Sequence, residues 1–362
     1  MRHGLIGGRW KILGRLGKGG FAEVFEVEDT RNPPKHYALK IGVPGLKSSD
    51  RASGALRNEA KTLQKLQELG CKQLLAVLPD GVGEHEGVNY MVMELAGPNL
   101  ADLQGAARDS RLDADTAIRA GQQALTALEN LHELGWLHRD VKPSNLVLFP
   151  PNAQPASAEW RLLDFGTARK IRGPDGQLLP QRVDYKEFRG SSSYASVSAH
   201  LLQDLGRVDD LWSWFYMCME MWEGRLPWRR DLSAASHKHQ ESPPNKDAIL
   251  ASKQRCQADL SELASGPNSL PAGLREISEY LSTLQFESDP DYSFLAFQLK
   301  SLNSASAKAA RNAAQVSTGP MVSPMVSPRM HASPAAQPSA GPSDVPMGDR
   351  EHPGNNWCSR GA

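Results

Sequence analysis

Two short runs constrain this chain more than any other part of it. The first is His138-Arg139-Asp140-Val141-Lys142-Pro143-Ser144-Asn145, and the second is Leu163-Asp164-Phe165-Gly166. Together they supply a carboxylate suited to accept a proton (Asp140), a lysine suited to a phosphate (Lys142), and two oxygen donors of the kind magnesium takes (Asn145 and Asp164). Upstream lie a glycine-rich run, Leu16-Gly17-Lys18-Gly19-Gly20-Phe21-Ala22-Glu23-Val24, and Tyr37-Ala38-Leu39-Lys40. Glycines let backbone N–H groups come close to phosphate oxygens. Each run alone is a weak signal; in this order they are specific.

Hydrophobic periodicity divides the chain. Trp10 to about Ile41 reads as strands, and Leu74 to Leu78 and Val88 to Met93 are strand-like. Strand alternation puts Ala38 and Lys40 on one face and Tyr37, Leu39 and Ile41 on the other. Arg57 to Leu69 reads as a helix, with Leu56, Ala60, Leu63 and Leu66 on one stripe. Glu59 lies on that stripe. A carboxylate facing a core is costly unless paired, so a Lys40–Glu59 ion pair is expected, with Glu68 as the alternative acid. From Thr116 onward helical patterns dominate. Two short strands, Leu146–Phe149 and Trp160–Leu163, flank a surface insertion at Pro150 to Ala158. Asp210 is expected to open a helix, with a simple N-cap as its bland role.

Composition sets outer limits. The 362 residues balance 41 Lys and Arg against 41 Asp and Glu, so no global charge argues for nucleic acid or an anionic membrane. Four scattered cysteines form no metal spacing and suit a reducing cytoplasm or nucleus. Met1 to Trp10 lacks a signal-peptide core, and the apolar run Leu211 to Trp222 is too short to span a bilayer. Ser233 to Asn245 reads as a polar loop in which His237 and His239 are solvated. Residues 300–362 are rich in Ser, Ala and Pro with little apolar periodicity, and a disordered tail is expected. Ser323, Ser327 and Ser333 each precede proline there, a pattern open to phosphorylation or to a plain linker.

The H-R-D-x-K-x-x-N and D-F-G runs resemble those of protein kinases. That resemblance implies an α+β, two-lobed protein kinase fold over 9–299: a small antiparallel-sheet lobe with one main helix (9–95) and a large helical lobe (96–299). It implies ATP and Mg2+ in the cleft and protein substrates carrying Ser or Thr, for a monomer without nucleic-acid or membrane partners. Asp140 becomes the candidate base, Lys142 a γ-phosphate contact favouring serine/threonine specificity, and Lys40 the α/β-phosphate ligand held by Glu59. Asn145 and Asp164 become the metal ligands. The nucleotide would lie under Leu16, Gly17, Lys18, Gly19, Gly20, Phe21, Ala22, Glu23 and Val24. Ala38, Val24 and Val147 would cover the adenine, Met93 would stand as gatekeeper, and the backbones of Glu94 and Ala96 would bond its edge. His138, Phe165 and Leu63 would stack between the lobes, and Asp210 would hold the catalytic loop.

Phe188-Arg189-Gly190-Ser191-Ser192-Ser193-Tyr194-Ala195-Ser196-Val197-Ser198-Ala199-His200 is similar to a signature of the casein kinase 1 group. Leu205 to Ser213 and Leu226-Pro227-Trp228-Arg229 look nearest its tau tubulin kinase branch. The resemblance covers about 9 to 299. It departs from the group at Ser193, where an anion-binding arginine is usual, and at Ser198, where asparagine is usual; the preference for acidic or primed substrates therefore stays open. The rival reading is a pseudokinase scaffold that binds ATP or partners without turnover. Lys40, Asp140 and Asp164, which such scaffolds usually lose, are all present. A third reading makes the tail an interaction segment.

Overall fold

In a computed structural model, the described residues are 4–19, 22–31, 33–43, 49–229, 245–263 and 270–304, with backbone only at 49–53. All belong to the first of two units, Met1–Gly319 and Pro320–Ala362. The expectations for Gly20, Phe21, the His237/His239 loop and the tail serines lie outside the described residues.

Strands β1 (Trp10–Lys18), β2 (Ala22–Asp29), β3 (His36–Gly42), β4 (Val77–His85) and β5 (Val88–Glu94) form one antiparallel sheet in the order β1-β2-β3-β5-β4. Period-two alternation gives each face its own core. Leu39, Ile41, Tyr90 and Val92 join Trp10, Val27 and Ile6 on one side. Ala38, Met91 and Met93 turn to the other, against Leu56, Ala60, Leu63 and Leu66 of α1 (Ser49–Glu68). Helix α1 therefore starts eight residues before the expected Arg57. Its first two turns carry no apolar stripe, so periodicity has nothing there to detect. β4 begins at Val77 and runs to His85, beyond the expected Leu78. Leu74 instead makes a parallel bridge to Leu162.

The large lobe is built on two long helices. Asp113 caps α3 (Ala114–Glu133), its side chain accepting from the Thr116 N–H at 2.9 Å. Helix α5 (Arg207–Glu223) is buried over its whole length, its charged residues included. It carries Trp212, Trp214, Phe215, Tyr216 and Trp222. The indole N–H of Trp214 donates to the Gly121 carbonyl at 2.8 Å, joining α5 to α3. Asp210 does not open this helix. Gly206 precedes it, and Asp209 caps back onto the Gly206 N–H at 2.8 Å, which leaves Asp210 one turn inside.

The shorter helices are α2 (Leu100–Ala106), α4 (Val197–His200), α6 (Lys246–Ala258), α7 (Ala272–Thr283) and α8 (Tyr292–Ser301). Core packing does not stop at Leu299, because Leu302, which ends α8, is buried as well. The hairpin of β7 (Leu146–Phe149) and β8 (Glu159–Leu162) matches the expected pair of strands with its insertion. Two-residue strands β6 (Trp136–Leu137) and β9 (Arg169–Lys170) pair beside it.

Candidate active site

Lys40 leaves β3 on the face shared with Ala38. Its ammonium meets both oxygens of Glu59 at 2.8 Å and Asp164 at 3.3 Å. Glu59, five per cent exposed, is the most enclosed of the three. Burial works against the Lys40 ammonium, but the two carboxylates outweigh it and its pKa is raised. The carboxylates divide unequally. Burial and the nearby Asp164 push the Glu59 carboxyl up. Burial also opposes the charge on Asp164, yet Lys40, His138 and Lys142 hold its carboxyl below the usual range. Asp164 thus stays anionic, as a ligand for a hard cation must.

The loop that carries His138 to Asn145 is fixed from behind. Asp210 accepts the backbone N–H groups of His138 and Arg139, each at 2.7 Å, and the ring of His132 at 3.0 Å. Tyr292 of α8 reaches the other nitrogen of His132 at 2.6 Å. The His138 ring donates to the Leu163 carbonyl at 2.9 Å and meets Phe165 edge-on, with centroids 5.0 Å apart. Leu63 belongs to the same core cluster as Phe165. The Arg139 guanidinium donates to the Thr167 carbonyl at 2.7 Å. Arg139 and Asp164 both have left-handed φ values, 66° and 60°. Such strain in non-glycine residues persists only where the surroundings enforce it.

Asp140 has two unlike oxygens. Its Oδ2 accepts from Lys142 at 2.6 Å and from the Asn145 amide at 3.4 Å. Its Oδ1 is buried and has no hydrogen-bond partner. Lys142 also bonds Ser191 Oγ at 2.9 Å. Asn145 donates to the Asp140 carbonyl at 2.9 Å, which leaves its amide oxygen as the side chain's acceptor. Gly190 seats this ensemble. It has φ of 93°, and a Cβ there would stand 2.5 Å from the Arg139 carbonyl. A cleft of about 1070 Å³ opens beside the site, walled by Lys142, Pro143 and Ser191 to Tyr194.

The expected nucleotide-side residues take these places. Gly17 has open space where a Cβ would be, and the Gly19 N–H closes the turn on the Ala22 carbonyl at 2.8 Å. Leu16 and Lys18 are exposed at the end of β1, and Lys18 and Glu23 pair at 3.4 Å. Val24 packs against the main core, which also contains Ala38, Met93 and Val147. Ala38 and Met93 are directly opposite one another across β3 and β5. After β5 the chain passes through Leu95 and Ala96, and the Gly97 N–H donates to the Leu148 carbonyl at 2.9 Å. Periodicity did not reveal what fixes this turn. Glu94 Oε2 accepts from the Ala76 N–H and from Arg161, both at 2.9 Å. Partners so distant in sequence leave no local pattern.

The donor set around Asp164 and Asn145 is all oxygen, and Asp164 is the charged member. That fits magnesium, which binds few protein ligands and keeps water and phosphate oxygens for the rest.

The protein kinase domain model matches residues 10–270. The chain is 35% identical over 80% of its length to a probable serine/threonine-protein kinase of Dictyostelium discoideum, covering 53% of that protein. It is 32% identical over 78% of its length to serine/threonine-protein kinase spe-6 of Caenorhabditis elegans, covering 69% of it. It is 29% identical over 80% of its length to casein kinase I homolog 2 of Schizosaccharomyces pombe, covering 62% of it. The chain thus spans about half to two thirds of the length of such relatives. With the domain matched over most of its length and casein kinase I homologues among its relatives, the chain belongs to the protein kinase family, within the casein kinase 1 group.

Proposed function

We propose that this chain is an ATP-dependent protein kinase that transfers the γ-phosphoryl group to serine or threonine hydroxyls of proteins. The observation that carries the reading is the partnerless, buried Oδ1 of Asp140. A buried acceptor without a donor is costly, and a substrate hydroxyl would satisfy it. Asp140 would take the hydroxyl proton on Oδ1 while the substrate oxygen bonds to the γ-phosphorus. The bond from that phosphorus to the β–γ bridging oxygen breaks, and ADP leaves. Lys142, anchored on Asp140 and Ser191, would balance charge on the moving phosphoryl group, and Lys40 would hold the α/β-phosphates. Magnesium, held by Asp164 and Asn145, would supply charge neutralisation at the phosphate oxygens. We assign the adenine contacts to Val24, Ala38, Val147 and the backbones of Glu94 and Ala96, with Met93 as gatekeeper.

Within the group, we place the chain nearest the tau tubulin kinase branch, on the runs Leu205 to Ser213 and Leu226 to Arg229. We further propose a cytoplasmic or nuclear monomer, in keeping with free cysteines at Cys71, Cys218 and Cys256. The test is transfer of labelled phosphate from ATP to casein by the wild type and Asp140→Asn. Loss of a positioned base should lower kcat roughly 10²–10⁴-fold with ATP binding kept. No transfer by the wild type to casein or a broad peptide panel would instead favour a scaffold.

A further inference from the structure

Lys253 of α6 is fully buried, and among the described residues no carboxylate lies within ion-pair distance of it. Its ammonium nitrogen donates instead to two backbone carbonyls of the segment that walls the cleft, Ser192 at 2.8 Å and Ala195. The faces of Tyr216 and Trp228 stand 4.9 and 5.0 Å away. Burial pushes its pKa well below the usual lysine range. The arrangement works in either charge state, because a neutral amine still has one N–H for each carbonyl.

The neighbouring groups point at the same short segment. His200 donates to the Ser192 carbonyl at 3.0 Å, and the Trp228 indole donates to the Ser193 carbonyl at 2.9 Å. Ser191, next along the chain, bonds Lys142, which bonds Asp140. Three carbonyls of this irregular stretch, those of Ser192, Ser193 and Ala195, thus have side-chain donors in place of a ladder. A helix distant in sequence sets the wall against which a protein substrate would lie.

We propose that Lys253 is a positioning residue for the protein substrate: it holds the Ser191–Ala195 segment at the depth at which a hydroxyl can reach Asp140. The proposal rests on the kinase reading. It predicts an asymmetry, because the nucleotide residues Lys40, Ala38 and Met93 belong to other elements and the protein substrate would lie on this wall.

The full chain as wild type, Lys253→Met and Lys253→Gln is assayed with ATP and casein, with melting followed by calorimetry. Methionine fills the volume but has no donor; glutamine keeps two N–H groups. For Lys253→Met, kcat/KM for casein should fall at least tenfold with KM for ATP within twofold of wild type. Lys253→Gln should recover at least half of that loss on a logarithmic scale. The idea is overturned if methionine matches wild type, if both variants are equally impaired, or if ATP and casein parameters fall together. Failure of both variants to fold would show a purely structural role and overturn it too. Absence of transfer by the wild type would defeat the kinase reading itself, a distinguishable result.

Discussion

Lys40 has two carboxylates within reach, whereas Glu59 has one ammonium, and this asymmetry orders the effects of substitution. Removing one partner of a buried pair costs roughly 3–5 kcal/mol, because the other charge is stranded. In Glu59→Gln the ammonium keeps Asp164, so the cost should fall at or below the lower end. Calorimetry should show a lowered melting temperature, and ATP titration a raised KM, since Lys40 would be drawn toward Asp164. His200 supplies a second test at this scale. Burial first, then Lys253, lower its pKa to about 4, against about 6.5 for a free histidine. The folded state therefore binds a proton less readily than the unfolded chain. The stabilisation is complete above pH 6.5 and is lost as the pH falls toward 4. The melting temperature of the wild type should fall more steeply across that window than that of His200→Gln. Equal slopes would remove His200 as the cause.

The elements show what local sequence can and cannot announce. Lys40 and Glu59 were legible because each sits in a periodic element, and a carboxylate on an apolar stripe demands a partner. The strand-like run expected over Leu74 to Leu78 stops short of the end of β4, because Pro79-Asp80-Gly81 interrupts the apolar pattern. Yet β4 lies at the sheet edge, where proline and glycine are tolerated, and its pairing comes from β5. Asp210 was misplaced as a helix start, since an aspartate before an apolar run resembles a cap. The cap, Gly206, is four residues earlier, and Asp210 is free to hold the His138–Arg139 backbone. The ties made by Arg161, Tyr292 and Lys253 had no local signal, because each joins residues distant along the chain. The end of α8 yields a prediction. Leu302 is two per cent exposed, so a chain ending at Ser304 should keep its melting temperature and its activity toward peptides. A chain ending at Lys300 loses that buried leucine and should be less stable by about 2–5 kcal/mol, as for other core truncations. Matching melts for the two would place Leu302 outside the cooperative core.

At the scale of the whole molecule, the sheet-rich and helical parts have very different aromatic content. Among the described tryptophans, Trp10 alone lies in the five-stranded sheet, while Trp160 of β8 and Trp212, Trp214, Trp222 and Trp228 are buried in the helical part. Ultraviolet-excited emission is therefore an almost exclusive witness of the helical part. A red shift of that emission on heating will mark the loosening of α5 and its neighbours, and fraying of β1 to β5 will pass nearly unseen. Nucleotide should accordingly shift the calorimetric trace while leaving the room-temperature spectrum close to unchanged. A large spectral change on adding ATP would mean that the indoles around α5 sense the distant sheet.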